Sequence, residues 1–166
     1  MDAFSANVVR GFLARQWPDR DYRLPYPGKV PLSLQMLGKV AGWHHESPMK
    51  VGINDAWGLW YAYRAVALLE GDLAPSAPVD SLSPCLACDS KPCVQACVPG
   101  ALDDAELRLQ RCLDFRVGED SPCNRRCVAR LACPVAPEHR YDLQQVEYHY
   151  GRSLAHIIAW RASSRE

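Results

Sequence analysis

The sequence lacks the features that would point to a membrane, a nucleic acid or a common nucleotide-binding fold. It contains 19 Lys and Arg and 19 Asp and Glu, so its formal net charge is zero. A neutral chain has no electrostatic footprint for phosphate backbones or anionic lipid. No apolar run approaches the roughly 18 residues of a membrane span, and Gly-x-Gly-x-x-Gly, P-loop and nucleophile-elbow motifs are absent. We therefore expect neither nucleic acid nor a membrane as a partner.

Cysteine is absent from residues 1–84, yet all eight cysteines lie between Cys85 and Cys133. Residues 1–20 also lack the uninterrupted apolar core of a secretory signal peptide, because charged side chains interrupt them. This predicts a cytoplasmic protein. In that reducing compartment clustered cysteines bind metal or carry out redox chemistry more often than they form disulfides.

The spacing of the cysteines favours iron–sulfur clusters over zinc. The cysteines form two groups of four: Cys85-x2-Cys88-x4-Cys93-x3-Cys97 and Cys112-x10-Cys123-x3-Cys127-x5-Cys133. A zinc site of four thiolates typically uses two Cys-x2-Cys pairs, and only the first group contains one. Bacterial [4Fe–4S] motifs combine a tight run of cysteines with a terminal Cys-Pro, as in Cys133-Pro134. We predict eight thiolate ligands and two [4Fe–4S] clusters, with structural zinc as the alternative.

The segments CLACDSKPCVQACVPGAL and CNRRCVARLACPV resemble the two halves of a bacterial dicluster ferredoxin. They are more similar still to the ferredoxin-like C-terminal part of epoxyqueuosine reductases and reductive dehalogenases. In such domains three cysteines of one motif share a cluster with the last cysteine of the other. The resemblance therefore implies two crossed ligand sets. The first set is Cys85, Cys88, Cys93 and Cys133, and the second set is Cys97, Cys112, Cys123 and Cys127.

Four spacings differ from the plain ferredoxin pattern. Four residues separate Cys88 from Cys93 where a ferredoxin has two, and Val98 stands between Cys97 and the following proline. Ten residues separate Cys112 from Cys123, and five residues separate Cys127 from Cys133. Longer loops between ligands are tolerated, because the entropy of loop closure grows slowly with length.

The stretch before the cysteines extends the resemblance. LGKVAGWHHESPMKVGINDAWGLWYAYRAVALL is similar to the segment that precedes the cysteine motifs in epoxyqueuosine reductases, where it completes a corrinoid-binding domain. It also resembles a group of uncharacterised bacterial ferredoxin-like proteins with an aromatic strand like Gly58 to Arg64. The family carries a further N-terminal part, so we expect a shortened relative or a chain that starts at an internal methionine. Residues 24–34, where the family has a catalytic aspartate, contain no carboxylate, so no catalytic residue is predicted.

Apolar spacing predicts helices around residues 8–17 and 32–41, a short strand over 49–53 and a C-terminal helix from Leu143. The apolar and aromatic run from Gly58 to Leu69 is interpreted as a buried strand, with a helix as the alternative. These elements predict an α+β fold: a partial corrinoid-reductase-like segment, a ferredoxin-like two-cluster domain and a final helix. The predicted boundaries are 1–72 for the α+β segment, 73–84 for a Pro-rich linker, 85–137 for the cysteine region and 138–166 for a helix that packs back on the N-terminal segment.

Other residue types with possible roles have more ordinary interpretations. His44 and His45 could bind a metal or corrinoid, but such a pair in a loop more often lies at the surface and contacts only solvent. The aromatic side chains before the linker, Trp57, Trp60, Tyr61 and Tyr63, could line a corrinoid or flavin pocket, but a core role is favoured. His139, His149 and His156 complete no zinc motif. Three arginines near the second cysteine group, Arg125, Arg126 and Arg130, either raise cluster potentials or pair with Glu119 and Asp120.

The sequence thus predicts an iron–sulfur protein that transfers single electrons. The first alternative is a corrinoid- or flavin-dependent reductase related to epoxyqueuosine reductase, and the second is a zinc-binding module. Two thiolate-bound cubes would make the loaded protein negative although the chain is neutral. We therefore expect a redox partner protein that is basic at the contact surface.

Overall fold

The computed structural model describes residues 2–103 and 106–163, and these divide into two compact units. Unit 1 consists of residues up to His44 together with Ala62–Ser81. Unit 2 consists of His45–Tyr61 together with the chain from Leu82 onward. The mixture of helices and small antiparallel sheets confirms the predicted α+β class.

Unit 1 contains two helices and a two-stranded sheet. Helix α1 spans Asp2–Gln16 and α2 spans Leu34–Val40, close to the predicted helices. α1 ends just before Trp17-Pro18, since a residue that precedes proline avoids the helical conformation. At the start of α2, the Ser33 hydroxyl accepts a hydrogen bond from the Met36 N–H at 3.3 Å, which caps a helix end that would otherwise leave this donor unpaired.

The sheet of unit 1 pairs strands that are distant in sequence. Strand β1 spans Tyr22–Tyr26 and pairs antiparallel with β4, Val66–Leu69. The pairing is irregular between Arg23 and Tyr26, where Pro25 has no N–H to donate to a partner strand. β1 was not predicted, because its prolines favour an extended connection over a strand.

Unit 2 begins with a short hairpin and a tight turn. Strands β2, His45–Glu46, and β3, Gly52–Ile53, pair antiparallel. The predicted strand over 49–53 therefore exists only in its last two residues, because a turn at Lys50 with φ of 56° occupies its first half. The chain then turns at residues 54–58 and buries Leu59 and Trp60.

The remainder of unit 2 is a series of helices that carry or flank the cysteines. Helix α3 spans Pro92–Gln95, α4 Leu109–Arg116, α5 Val128–Leu131 and α6 Leu143–Ser163. A 3-10 turn over Pro137–His139 precedes α6, which begins at the predicted residue. No helix of the described ranges is long and apolar enough to cross a membrane.

The predicted strand from Gly58 to Leu69 is wrong for most of its length. Only Val66–Leu69 is a strand, and residues 59–65 are irregular. The apolar run has no single periodicity because it serves two units: Leu59 and Trp60 are buried in unit 2, whereas residues from Ala62 belong to unit 1. Hydrophobicity therefore indicated burial correctly only at the start of the run, since Leu68 is 51% exposed, and it did not indicate the break into two elements.

The two units do not follow the predicted boundaries, because residues 45–61 belong with the cysteines and the Pro-rich stretch is divided after Ser81. Residues 45–61 precede the Pro-rich stretch in sequence but belong to the unit that contains the cysteines. The reason is tertiary, since the Arg130 side chain donates a hydrogen bond to the Leu59 carbonyl. Within unit 2, Arg116 of α4 donates hydrogen bonds to the Ser153 hydroxyl and to the Tyr150 carbonyl of α6, and these bonds join the two helices. The packing of the last helix on the N-terminal segment stays a prediction, and residues 1 and 164–166 of the predicted boundaries lie outside the described ranges.

Candidate metal centre

All eight cysteines are free thiols, and the elements of unit 2 place them in a repeated pattern. Cys93 lies in α3, and Cys97 follows two residues after that helix ends. Cys127 is the residue that caps α5, and Cys133 follows two residues after that helix ends. The helices α3 and α5 pack against each other, so this contact brings together cysteines that are 30 to 40 residues apart in sequence.

Electrostatic interactions among the thiols divide them into two groups of four. Burial is the largest cause of the raised pKa of Cys85 and of Cys93. The neighbouring thiols that raise these two pKa values further include Cys88 and Cys133. Around Cys112 and Cys123, the neighbours that do so are instead Cys97 and Cys127. These groups have the same members as the first and second sets defined by the ferredoxin-like crossover.

The four cysteines of the second set face one cavity. This apolar cavity has a volume of about 140 Å³ and is lined by Cys97, Cys112, Cys123 and Cys127. No member of the first set lines it. Leu102, Phe115 and Ala129 form part of its wall, so hydrophobic side chains border the space between these four cysteines.

Members of the first set are divided between two small hydrophobic clusters, and the second of these also contacts Cys97 and Cys127 of the second set. Cys133 is 5% exposed and packs with Ile53 and Leu59, with Cys85 against the same cluster. Cys93 is buried with Ala129. Two positive groups adjoin this set: Lys91 donates to the Cys85 carbonyl at 2.8 Å, and Arg140 donates to the Cys133 carbonyl at 3.0 Å.

Backbone N–H groups point at several of the sulfurs. The Ala101 N–H donates to Cys97 Sγ at 3.3 Å, and the Arg130 N–H donates to Cys127 Sγ at 3.4 Å. Backbone N–H groups of residues later in the chain also donate hydrogen bonds to three more thiols, those of Cys93, Cys123 and Cys133. Such donors stabilise negative charge on sulfur, and they are among the groups that set the potential of a thiolate-bound cluster.

Burial is the main influence on the acidity of five of the thiols. It raises the pKa of each of these above the ordinary cysteine value: Cys85, Cys93, Cys112, Cys123 and Cys133. A buried thiol is a poor nucleophile, because the thiolate is the reactive form. The same thiols are good metal ligands, since a bound cation replaces the proton and compensates the thiolate charge. The donor set therefore fits metal binding better than thiol redox catalysis.

The spacing of the side chains does not suit a single metal ion. Within residues 2–103 and 106–163, no three His, Cys, Asp or Glu side chains converge closely enough to hold one. A tetrahedral zinc site needs four sulfurs about 2.3 Å from the same ion. In an iron–sulfur cube each thiolate binds a different iron, so the sulfurs stand farther apart.

Arg116 is a further site residue, which the sequence reasoning missed. It is only 9% exposed, and its guanidinium donates to the Cys123 carbonyl at 3.3 Å. Its positive charge opposes the effect of burial on the pKa of both Cys112 and Cys123. An arginine among polar residues at the end of a short helix does not stand out in the sequence. Only its position four residues after Cys112 could have suggested that it lies near the cysteines.

The arginines that the sequence singled out have separate roles. Arg126 and Arg130 line the cavity, and Arg125 does not. The Arg130 guanidinium lies over the Trp60 ring at 4.3 Å and over the Tyr141 ring at 5.5 Å. The described residues show no ion pair from these arginines to Glu119 or Asp120, so that interpretation is not supported.

The histidines and aromatic residues do not form a second site in the described chain. His44 is buried rather than on the surface, and its ring lies 6.2 Å from that of Tyr63. His139 stacks on Trp57, and His149 contacts Tyr141. Trp60 is 4% exposed and lies in the core, as predicted. Trp57 is 50% exposed and Tyr61 and Tyr63 are half-buried, so the predicted core role is wrong for Trp57.

Comparison with known proteins supports the fold and goes no further. No protein-family model matches the chain, and no curated protein matches it. Its structure is similar to that of epoxyqueuosine reductase from Bacillus subtilis, with a TM-score of 0.51 and 18% sequence identity. The similarity covers 83% of this chain but only 38% of the reductase chain. The chain therefore shares a fold with part of that enzyme and spans little more than a third of its length.

Proposed function

We propose that this protein transfers single electrons through two [4Fe–4S] clusters, bound in a ferredoxin-like arrangement within unit 2. The observation that carries the proposal is the separation of eight free cysteines into two groups of four, one of which surrounds a single cavity. In this proposal Cys85, Cys88, Cys93 and Cys133 hold one cluster. The other is held by Cys97, Cys112, Cys123 and Cys127.

The chain's own residues contribute three things to such a site. Buried and half-buried thiols would provide the ligands, and hydrophobic residues such as Ile53 and Leu59 cover part of the first set. Backbone N–H groups, including that of Ala101, donate to the sulfurs. When bound, the clusters would supply the one-electron chemistry, and the protein would tune it through these hydrogen bonds, nearby charge and solvent exposure.

The partner and location follow from the same proposal. Two thiolate-bound cubes add negative charge to a neutral chain. We propose a redox partner that presents basic residues at the contact, and a reducing cytoplasm as the compartment.

Iron and sulfide analysis of anaerobically purified protein tests this function. We expect a brown protein with broad visible absorption and about eight iron atoms and eight sulfides per chain, because each cube holds four of each. A colourless protein that retains about two zinc ions and no sulfide would contradict the proposal and favour the structural zinc module.

A reductase role is the second candidate, and the structural similarity to epoxyqueuosine reductase favours it. In this version a corrinoid or flavin would bind the chain and receive electrons from the clusters. Residues 24–34 contain no carboxylate, and we assign no catalytic residue. Titration of the iron-loaded protein with cobalamin, followed by gel filtration, would show retained cofactor if this candidate is correct, whereas absence of retention with intact clusters would leave electron transfer alone.

A further inference from the structure

Arg116 is a buried positive charge without a carboxylate partner in the described part of the chain. It is 9% exposed, and no ion pair within residues 2–103 and 106–163 includes it. Its three hydrogen-bond acceptors are neutral: the Cys123 carbonyl, the Ser153 hydroxyl and the Tyr150 carbonyl. Burying a charge is costly unless hydrogen bonds and an opposite charge compensate it, so an anion near Arg116 would complete its compensation.

The thiols of the second set are the groups that can provide this anion. Arg116 lines the cavity that all four of them surround. Its charge favours the thiolate form of Cys112 and of Cys123. The Tyr150 ring, 5.2 Å from the guanidinium, and the Ser153 hydroxyl hold Arg116 in place from α6. The arginine is thus fixed beside the cavity from two helices.

The first set has no comparable charge. The cations that act on its members are Lys91, on Cys85, and Arg140, on Cys133. Lys91 is half-buried and Arg140 is exposed. Water screens such charges much more effectively than a buried one, because the effective dielectric constant near the surface is higher.

We propose that Arg116 is a positioning residue that makes the second set the resting site of the transferred electron. This inference rests on the proposed function. An electron that arrives from a low-potential one-electron carrier adds one negative charge, with no bond formed or broken, and leaves to an oxidised acceptor. The buried guanidinium stabilises that added charge on the cluster held by Cys97, Cys112, Cys123 and Cys127. This cluster therefore has the higher of the two reduction potentials.

Redox titration followed by electron paramagnetic resonance tests the proposal on the anaerobically reconstituted full chain. Arg116→Gln removes the charge, and we expect it to lower the higher potential while the lower potential stays constant. Arg116→Lys retains the charge and should restore most of the shift. Arg111→Gln is the matched control, since Arg111 lies on the same helix beside Cys112 but is exposed, and we expect little change.

Two further variants assign the signals and protect against misfolding. Cys127→Ser should alter the spectrum of the higher-potential cluster, and Cys88→Ser that of the lower-potential one. Ser153→Ala keeps the charge but removes one hydrogen bond to Arg116, and should shift the higher potential in the same direction by less. It serves as the decisive variant if Arg116→Gln does not assemble.

The outcomes separate this inference from the proposed function. A wild-type protein without iron–sulfur clusters overturns both. Two clusters whose potentials are unchanged in Arg116→Gln and in Ser153→Ala overturn the role of Arg116 and leave electron transfer standing. A shift confined to the lower potential reverses the assignment and also overturns it.

Discussion

At the level of single residues, the membership of Cys133 distinguishes the crossed arrangement from a sequential one. In the crossed sets Cys93 and Cys133 belong to the same cluster, whereas a sequential pairing would divide them. The structure places these two thiols close enough to influence each other. Cys133 raises the pKa of Cys93 in addition to the larger effect of burial. A double variant that removes both therefore has opposite consequences in the two arrangements.

We expect Cys93→Ala/Cys133→Ala to retain about four iron atoms per chain, because the second set stays complete. The matched control is Cys93→Ala/Cys97→Ala, which damages both crossed sets and should lose nearly all iron. Iron analysis and the visible spectrum of the two proteins provide the comparison. If the retention is reversed between the two variants, the cysteines pair in sequential order.

Arg130 joins three separate parts of unit 2 near the cavity. Its guanidinium contacts Trp60 and Tyr141, and it donates to the Leu59 carbonyl. We expect Arg130→Ala to lower the free energy of unfolding by about 2–3 kcal/mol, since it removes a partly desolvated cation–π contact and leaves a carbonyl unpartnered.

Denaturant unfolding of the anaerobic holoprotein measures this effect, with Arg152→Ala as control. Arg152 also lies over a ring, that of Tyr148 at 5.7 Å, but it is exposed. Its loss should change the free energy of unfolding by less than about 1 kcal/mol. Equal effects of the two variants would contradict the role assigned to Arg130.

At the level of elements, two glycines respond oppositely to the same substitution. Gly58 ends the turn after β3 with φ of 56°, and a Cβ there would lie 2.3 Å from the Val135 carbonyl oxygen. Gly151 lies within α6, where a Cβ would meet nothing closer than 3.7 Å. The first position needs glycine for both conformation and space, and the second does not.

We therefore expect Gly58→Ala to destabilise unit 2 by about 2–4 kcal/mol. Gly151→Ala should stabilise the protein by about 0.5–1 kcal/mol, because alanine loses less backbone entropy in a helix. Thermal or denaturant unfolding of the holoproteins provides both values. A neutral Gly58→Ala would mean that the turn does not approach the Cys133–Val135 segment closely.

The contact between α3 and α5 is the element-scale feature that the sequence could not specify. Each helix is only four residues long, and so short a helix is not stable without tertiary contacts. Spacing predicts that the cysteines bind metal, but the relation of the two groups depends on how these helices pack. The sequence reached the crossed sets only through resemblance to ferredoxins.

At the level of the whole molecule, the proposed clusters would couple metal binding to the folding of unit 2. The cysteines come from segments up to 48 residues apart, and buried thiols such as Cys133 are part of the unit's small hydrophobic cores. If metal is removed, these cores lose the bonds that join their segments. Unit 1 contains no cysteine, so its stability does not depend on this chemistry directly.

Hydrogen exchange on iron-loaded and chelator-treated protein tests this coupling. We expect amide protection in residues 85–133 to fall at least tenfold when iron is removed, because local opening becomes easier there. Protection of the β1–β4 hydrogen bonds should change much less. A uniform loss of protection across both units would show that the chain unfolds as one cooperative body.

The sequence by itself determined the α+β composition, the positions of the longer helices and the segment that carries all the cysteines. These features depend on local information: residue type, spacing and apolar periodicity. Local information of this kind was enough to locate helices α1 and α6. It was also enough to locate all eight thiols within residues 85–133.

The tertiary structure alone decided which segments share a unit and which residues surround the cysteines. Residues 45–61 belong with the cysteine region, and the apolar run after Gly58 divides between two units. Arg116 became visible as a site residue only when α4 and α6 were placed around it. The physical reason is that burial and charge compensation are properties of packing between distant segments, which a linear pattern of residue types does not encode.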